Sequence, residues 1–155
     1  MEKIDSLNMV AEFHKTFNAP VLETPQIPSA ERCTLRVSLL QEELNELKEA
    51  IEAHDLVEVA DALCDLQYVL SGAVLEFGLG EKFGRLFSEV QRSNMSKACE
   101  NEEQAIQTMQ HYQAKGVESY YEKSGDKYNV HRSSDDKVLK SIFYSPADLK
   151  TIIEN

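Results

Sequence analysis

Apolar residues recur at intervals of three and four along most of this chain, which is the spacing of amphipathic helices. The pattern predicts helices over residues 4–17, 29–53, 55–75, 81–96 and 101–116, and a short helix that begins at Ser145. From Val117 onward, tyrosines around a Ser-Gly-Asp turn predict a small hairpin. We therefore expect an all-α protein, a helical bundle of about five to six helices with a short C-terminal hairpin-like segment.

The second predicted helix carries acidic residues within its apolar face. In the run LLQEELNELKEAI, Glu43 has Leu39, Leu40 and Leu47 as neighbours at helical spacings of three and four. Glu46 lies one step round the helix, at the edge of the same face. The pattern therefore predicts that Glu43 faces the interior of the protein.

The third predicted helix repeats this arrangement. Glu58, Asp61 and Asp65 fall within about 60° of one another, on a face that small and apolar residues continue. His54 and Asp55 form a short turn before this helix, so the two helices should pack antiparallel. Two rows of carboxylates would then face each other.

A divalent cation would account for both rows. Unpaired buried carboxylates are costly or become protonated, and clustered carboxylate oxygens are the ligands that Mg²⁺ and Mn²⁺ prefer. Two simpler explanations apply to parts of the pattern. Glu42, Glu49 and Glu52 can form a solvated helix face. Asp55 and Glu58 fit the spacing of an N-terminal capping box.

Composition and charge narrow the class of function. The 155 residues, 42% hydrophobic and 28% charged, predict one soluble globular domain over 1–155. Within it we expect a metal-binding helical core over 1–97 and a C-terminal extension over 98–155. The net charge of -11 argues against binding nucleic acid through a basic face. A polyanionic substrate would need bridging cations.

The sequence contains no clear targeting or redox signal. Cys33, Cys64 and Cys99 form no CxxC pair, which favours reduced, buried thiols. The N-terminal run MEKIDSLNM lacks the apolar core of a signal peptide, and polar residues interrupt the longest apolar run. We therefore expect a cytoplasmic protein with no membrane partner.

Several stretches of the sequence together resemble a known superfamily. EELNE and EVAD are similar to the ExxE and ExxD signature of the all-α NTP pyrophosphohydrolases, which include MazG-like enzymes, phosphoribosyl-ATP pyrophosphohydrolases and dimeric dUTPases. The more specific stretches are EFHKTFNAP, LRVSLLQEELNELKEAI, DLVEVADALCDLQYVLSGAVLEFG, EVQRSNMSK and DKVLKSIFYSPADL. In this order they resemble the MazG-like branch labelled phosphoribosyl-ATP pyrophosphohydrolase-like. Residues 100–130 depart from the pattern, because they are longer than the usual short link.

The resemblance implies a role for each residue of these motifs. The ligands of Mg²⁺, for which Mn²⁺ is a substitute, would be Glu43, Glu46, Glu58 and Asp61. The pattern above adds Asp65 as a further acid. Glu42 would be catalytic, either as an extra ligand or as the base that orients the attacking water. The residues expected to bind substrate are Asn94, Lys97, Lys137, Lys140 and Tyr144.

The residues and the resemblance together predict a Mg²⁺-dependent nucleoside triphosphate pyrophosphohydrolase, which converts a (d)NTP to (d)NMP and pyrophosphate, of a house-cleaning or dUTP type. The first alternative is a phosphoribosyl-ATP pyrophosphohydrolase of histidine synthesis. The second is a non-enzymatic helical interaction module, in which Arg36 or Lys48 would pair with the acids. The resemblance implies a homodimer or a dimer of dimers, and the apolar circumference of residues 62–75 independently predicts at least a dimer.

Overall fold

The structure, a computed structural model, describes residues 4–155 of the chain. Over this part of the chain it contains six α-helices and one two-stranded antiparallel sheet. The elements are α1 (Ser6–Thr16), α2 (Ala30–Glu52), α3 (Leu56–Glu76), α4 (Gly80–Met95), α5 (Glu102–Gln113), β1 (Ser119–Ser124), β2 (Lys127–Arg132) and α6 (Leu149–Glu154). The predictions of an all-α fold and of a C-terminal hairpin are confirmed.

The chain divides into two compact units, Met1–Phe83 and Gly84–Asn155, and the division falls within α4. In the first unit, α3 packs against both α1 and α2. In the second unit, α5 packs against both strands of the hairpin. The acidic residues of α2 and α3 therefore belong to the first unit, and the expected substrate-binding residues belong to the second. The single domain with a core over 1–97 stays a prediction.

Side-chain caps begin most helices where the sequence predicts them. Ser29, Asp55 and Asn101 cap α2, α3 and α5. The last helix, however, begins later than Ser145. Asp148 is its N-cap and accepts a hydrogen bond from Thr151 N at 3.2 Å. Ser145 N instead donates to Ser96 Oγ at 2.9 Å, so a long-range contact holds the residues before the cap out of the helix.

The extended segment between α1 and α2 is fixed against the end of α3. Leu22 N donates to Leu75 O at 3.0 Å. Gly78 ends α3 with φ at +67°, in the left-handed region that favours glycine. A Cβ at Gly78 would lie 1.9 Å from Thr24 O, so this close approach also requires glycine.

One buried carboxylate joins α2 to α3 inside the first unit. Glu76, at the end of α3, is 1% exposed and accepts hydrogen bonds from Arg32 and Arg36 of α2. Burial raises the pKa of Glu76, but the hydrogen bonds and charges of the two arginines outweigh it and lower the pKa below its usual 4.5. Glu76 is therefore an ionised counter-charge for both arginines.

His14 completes this ion cluster from α1. Its Nδ1 lies 2.8 Å from the carbonyl oxygen of Pro20, which only accepts, so Nδ1 carries the proton. Its Nε2 lies 3.5 Å from Nη2 of Arg36, which only donates. Gly72 of α3 permits the approach, because a Cβ there would lie 2.7 Å from Arg36 Nη1 and 3.0 Å from His14 Nε2. Three helices thus meet at one polar cluster.

A separate apolar core supports the second unit. Its buried residues are Cys99, Ala105, Val130 and Leu139, and Met109, Tyr112, Val117, Tyr121 and Tyr128 pack around them. Cys99 and Tyr128 exchange two backbone hydrogen bonds of 2.8 and 2.9 Å. This core therefore joins the end of α4, α5, the hairpin and the segment after it.

Many large apolar side chains of the first unit stay exposed. They include Val37, Leu44, Ile51, Leu56, Val57, Leu63 and Leu70. Cys64 is exposed and Cys33 half-buried, so the expectation of buried thiols holds only for Cys99. The reason is that α3 is apolar on most sides and its neighbours in the chain cover only part of it. Within residues 4–155 no single helix is long and apolar enough to cross a membrane, although the bent pair α3 and α4 passes that test by length and composition.

The ion cluster generates a stability prediction. Glu76→Gln should destabilise the protein by about 3 kcal/mol at pH 7, because the two arginines lose their counter-charge. The lowered pKa of Glu76 contributes stability above pH 4.5, and this contribution is lost as the pH falls through the still lower folded-state value. Urea unfolding should therefore show a smaller difference in stability between the wild type and Glu76→Gln at pH 3 than at pH 7.

The matched control is Glu52→Gln, which removes the exposed partner of Lys48 and should change stability little. Equal unfolding midpoints for Glu76→Gln and the wild type at pH 7 would contradict the role assigned to Glu76.

Candidate functional site

A short turn places α2 and α3 side by side. His54 adopts φ of +56° between the two helices, and Asp55 N donates to Ala50 O at 3.0 Å. The Asp55 carboxylate accepts hydrogen bonds from Val57 N and Glu58 N and so caps α3. The helices pack against each other from this turn, as the sequence predicts.

Glu43 is the centre of the acidic cluster. Its side chain is half-buried, and its Oε2 is buried without a hydrogen-bond partner among the residues that the structure describes. Desolvation raises the pKa of Glu43, and the charges of four neighbours raise it further, namely Glu46, Asp65, Glu42 and Asp61. The structure therefore brings together five of the six acids that the sequence singled out.

The cluster is more open than the sequence predicts. Asp65 is half-buried like Glu43, whereas Glu42, Glu46, Glu58 and Asp61 are exposed. The two carboxylate rows thus face a partly solvated groove and not a closed core. Glu58 is not among the charges that act on Glu43. It lies in the first turn of α3, close to the turn that joins α2 to α3.

The structure tests two of the simpler explanations for these acids. Asp55 N is already bonded to Ala50 O, so the Glu58 side chain does not complete a capping box. Arg36 bonds to Glu76, and Lys48 lies 3.8 Å from Glu52. Neither cation is a partner of Glu43, which argues against the interaction-module alternative.

The chemistry of the acidic cluster fits a hard cation. Among residues 4–155, no three His, Cys, Asp or Glu side chains lie close enough to share a metal ion as they stand. The unpartnered, buried oxygen of Glu43 and the oxygens around it nevertheless form the chemistry that Mg²⁺ and Mn²⁺ select.

Four of the five expected substrate-binding residues lie together in the second unit. Lys97 Nζ donates to Asn94 Oδ1 at 2.7 Å, and Lys140 Nζ lies 4.3 Å from the centre of the Tyr144 ring. The charges of both lysines act on the Tyr144 phenol. The fifth residue, Lys137, is not among the charges that act on Tyr144, and its charge acts on Asp135.

Two residues beside Tyr144, Ser93 and Arg92, were not predicted from the sequence. The Ser93 hydroxyl, which is buried, donates to the Tyr144 oxygen at 3.0 Å, and this hydrogen bond lowers the pKa of Tyr144. Lys140, Lys97 and Arg92 lower it further by their charges. Arg92 also bonds to Glu89 and holds the pKa of that carboxyl at about 2. Both residues stand in the motif EVQRSNMSK, next to Asn94, which is the signal that could have identified them.

The electrostatics of Glu43 generate a second prediction. Glu43→Gln should raise the melting temperature of the metal-free protein at pH 7, because it removes a charge that the surroundings disfavour. The raised pKa means that this cost is absent below the usual value of 4.5 and complete above the folded-state value. Scanning calorimetry in the presence of a chelator should give Glu43→Gln a higher melting temperature than the wild type at pH 7. This difference should disappear near pH 4.

Glu49→Gln is the matched control, since it changes the same charge on an exposed site of the same helix. If the two variants melt at the same temperature at pH 7, Glu43 is not under the electrostatic strain described here.

Two comparisons with known proteins give results for this chain. The chain is 22% identical over 244 aligned positions to an uncharacterized protein of Acanthamoeba polyphaga mimivirus, and the alignment covers 99% of this chain and 97% of the relative. The sequence model of one family matches residues 10–94, which is more than half of the chain and includes the whole acidic cluster. The chain therefore belongs to the phosphoribosyl-ATP pyrophosphohydrolase family, within the MazG-like all-α NTP pyrophosphohydrolase superfamily.

Proposed function

We propose that this protein is a Mg²⁺-dependent nucleoside triphosphate pyrophosphohydrolase that releases pyrophosphate from a (d)NTP and leaves the (d)NMP. The family supports a pyrophosphohydrolase activity in general. The observation that carries the proposal is the Glu43 carboxylate, which has a buried oxygen without a partner and four acidic neighbours. Clustered carboxylates can bind divalent cations, and these cations can in turn bind the phosphate chain of a polyanionic substrate.

The reaction breaks the anhydride bond between the α- and β-phosphates of the substrate. Water attacks the α-phosphorus, and pyrophosphate leaves with the electron pair of the broken bond. Bound Mg²⁺ would supply neutralisation of the charge on the substrate and leaving-group oxygens. Glu43, Glu46, Glu58 and Asp61 would hold it, and Asp65 would add a further carboxylate.

Glu42 is the proposed base. Its carboxylate is exposed and lies close enough to Glu43 to raise the pKa of that residue. A solvent-facing carboxylate beside the ligands can accept a proton from the attacking water and orient it. Its position at the edge of the cluster supports this role better than a role as an inner ligand.

The second unit supplies the proposed phosphate contacts. Asn94, Lys97, Lys140 and Tyr144 form a group with two cations and no acid, on a protein whose net charge is -11. Lysine ammonium groups and a tyrosine hydroxyl are suitable donors to phosphate oxygens. Lys137 has less support, because its charge acts on Asp135.

A turnover panel tests the activity. The purified protein with Mg²⁺ should release pyrophosphate from at least one nucleoside triphosphate, and dUTP should be compared with the other NTPs and dNTPs. Phosphoribosyl-ATP belongs in the same panel, since the histidine-synthesis alternative predicts turnover of that compound alone. The base and sugar preference follows from the ranking of kcat/KM.

Variants of the acidic cluster test the site. Glu43→Gln and Asp61→Asn should fold but lose at least about a hundredfold in turnover at saturating Mg²⁺, because each keeps the shape and removes a charged ligand. Glu49→Gln should keep wild-type turnover. Near-wild-type activity of either cluster variant would remove that residue from the proposed ligands.

We also propose that the protein is a homodimer or a dimer of dimers. Leu56 is 80% and Val57 76% exposed at the start of α3, and Val37 is 68% exposed on α2. Side chains of this kind, spread over two packed helices, are typical of a surface that a second copy covers.

Light scattering tests the assembly directly. The mass at micromolar concentration should be at least twice the 17.6 kDa of one chain. Val57→Lys should lower the mass towards that of one chain, while Lys150→Glu, at an exposed site of α6, should leave it unchanged. A wild-type mass of one chain would contradict the proposal.

A further inference from the structure

The segment that carries Lys140 is held by its backbone at four consecutive residues. The four bonds come from β2, from α5 and from the residues that follow α4: Leu139 N donates to Val130 O of β2 at 2.8 Å, Lys140 O accepts from the Tyr112 hydroxyl at 3.1 Å, Ser141 N donates to Lys97 O at 3.0 Å, and Ile142 N donates to Thr108 Oγ1 at 3.3 Å. A segment without regular secondary structure is seldom fixed so completely. Its position is therefore set by tertiary contacts and not by its own local conformation.

Two of these four contacts come from one face of α5. Thr108 and Tyr112 are four residues apart, so they project from the same side of the helix. Thr108 is 0% exposed, and its hydroxyl lies 3.6 Å from Cys99 Sγ as well as accepting from Ile142 N. A buried threonine whose hydroxyl is used in this way costs stability if the bond is lost. Both residues lie outside residues 10–94, the part that matches the family.

The contacts of α5 determine where the Lys140 side chain begins. From there its ammonium group reaches 4.3 Å from the centre of the Tyr144 ring, and the Tyr144 hydroxyl accepts a hydrogen bond from Ser93. Tyr144 N is fixed as well, because it donates to Ser141 O at 2.9 Å. The spacing between the ammonium group and the phenol is thus preset by the bonds to residues 139–142.

On the far side, α4 holds the residues that follow. Arg92 Nη2 donates to Pro146 O at 3.0 Å, and Glu89 Oε1 accepts from Asp148 N at 2.9 Å. These contacts fall within or beside the family motif, whereas those of α5 do not. α4 therefore already holds one end of the segment, and the α5 contacts hold the other end in addition.

We propose that α5 and the β1–β2 hairpin form a clamp that presets the Lys140 and Tyr144 side chains for binding a polyphosphate chain, with Thr108 and Tyr112 as its positioning residues. As to the natural ligand, this inference depends on the proposed function. The clamp explains why the chain carries an extra helix and hairpin between the motifs EVQRSNMSK and DKVLKSIFY. Fixing cationic side chains in advance lowers the entropy cost of binding an anion.

Thr108→Val and Tyr112→Phe test the clamp, because each removes one hydroxyl at nearly constant shape. The probe is inorganic tripolyphosphate, titrated by calorimetry into the full chain without divalent cations at low ionic strength. Both variants should bind it about tenfold more weakly. In turnover assays both should raise KM for the triphosphate with little change in kcat, since a phosphate contact of this kind acts on ground and transition states alike.

Tyr120→Phe is the matched control. Its hydroxyl donates to Asp136 at 3.0 Å, and in the strand register Tyr120 points away from the side of Tyr121, which packs on the core. This variant should bind tripolyphosphate as the wild type does. Lys140→Ala shows how much affinity for tripolyphosphate is lost when the ammonium group itself is removed.

A spectroscopic readout separates positioning from stability. The titration of the Tyr144 phenol is obtained as the difference between each protein and its Tyr144→Phe counterpart. The pKa of this phenol should rise in the clamp variants, because its cationic neighbours are then less well placed. A lowered melting temperature with unchanged affinity, KM and Tyr144 titration in both variants would overturn the proposal and leave α5 a structural role.

The two proposals can fail separately. A wild-type protein that binds tripolyphosphate in a clamp-dependent way but hydrolyses no triphosphate would retain the clamp and remove the proposed function. The clamp alone is overturned if the wild type hydrolyses triphosphates and both variants match it in tripolyphosphate binding and in triphosphate turnover. Absence of tripolyphosphate binding by the wild type also overturns the clamp.

Discussion

The buried pairing of Glu76 with Arg32 and Arg36 is the interaction on which the first unit depends. It joins the first half of α2 to the end of α3, and His14 extends it to α1. It also pairs the two arginines of α2 with Glu76. Arg36 lies two turns before Glu43 on the same helix, and its bond to Glu76 commits it to the interior. Among residues 4–155, neither Arg36 nor Lys48 of α2 pairs with Glu43, whose buried oxygen is free to bind a cation.

Two places in the protein hold opposite kinds of local charge imbalance. Around Glu43, in the first unit, desolvation and neighbouring acids raise the pKa of the carboxyl. Around Tyr144, in the second unit, a hydrogen bond and neighbouring cations lower the pKa of the phenol. Most other charged groups with a resolved shift are paired, such as Arg132 with Asp135 and Lys127 with Glu100. Groups that a protein leaves unbalanced are candidates for ligand contact.

The family match and the remainder of the chain have different physical characters. Residues 10–94 form helices with many uncovered apolar side chains, whereas the second unit has its own small core around Cys99 and Val130. The clamp contacts of Thr108 and Tyr112 use that core as their base. A well-packed module is a suitable support for a segment that has no regular structure of its own.

The sequence by itself determined what depends on short-range spacing. Helical periodicity and caps placed α1 to α5 within a few residues, and the Ser-Gly-Asp turn placed the hairpin. The spacing of Glu43 relative to its apolar neighbours predicted that it faces the interior, and the structure has it half-buried. These features can be predicted because one or two turns of backbone fix which side chains share a face.

Tertiary structure alone decided the contacts between distant residues. Arg32 and Glu76 are 44 positions apart, and Ser93 and Tyr144 are 51 positions apart, so no local spacing indicates either pair. The same limit explains the exposure of Asp61 and the late start of α6, where Ser145 bonds to Ser96 instead of beginning a helix. A periodic pattern shows which side of an element is apolar. Which element covers that side, and which charge meets which, depends on how the chain returns on itself.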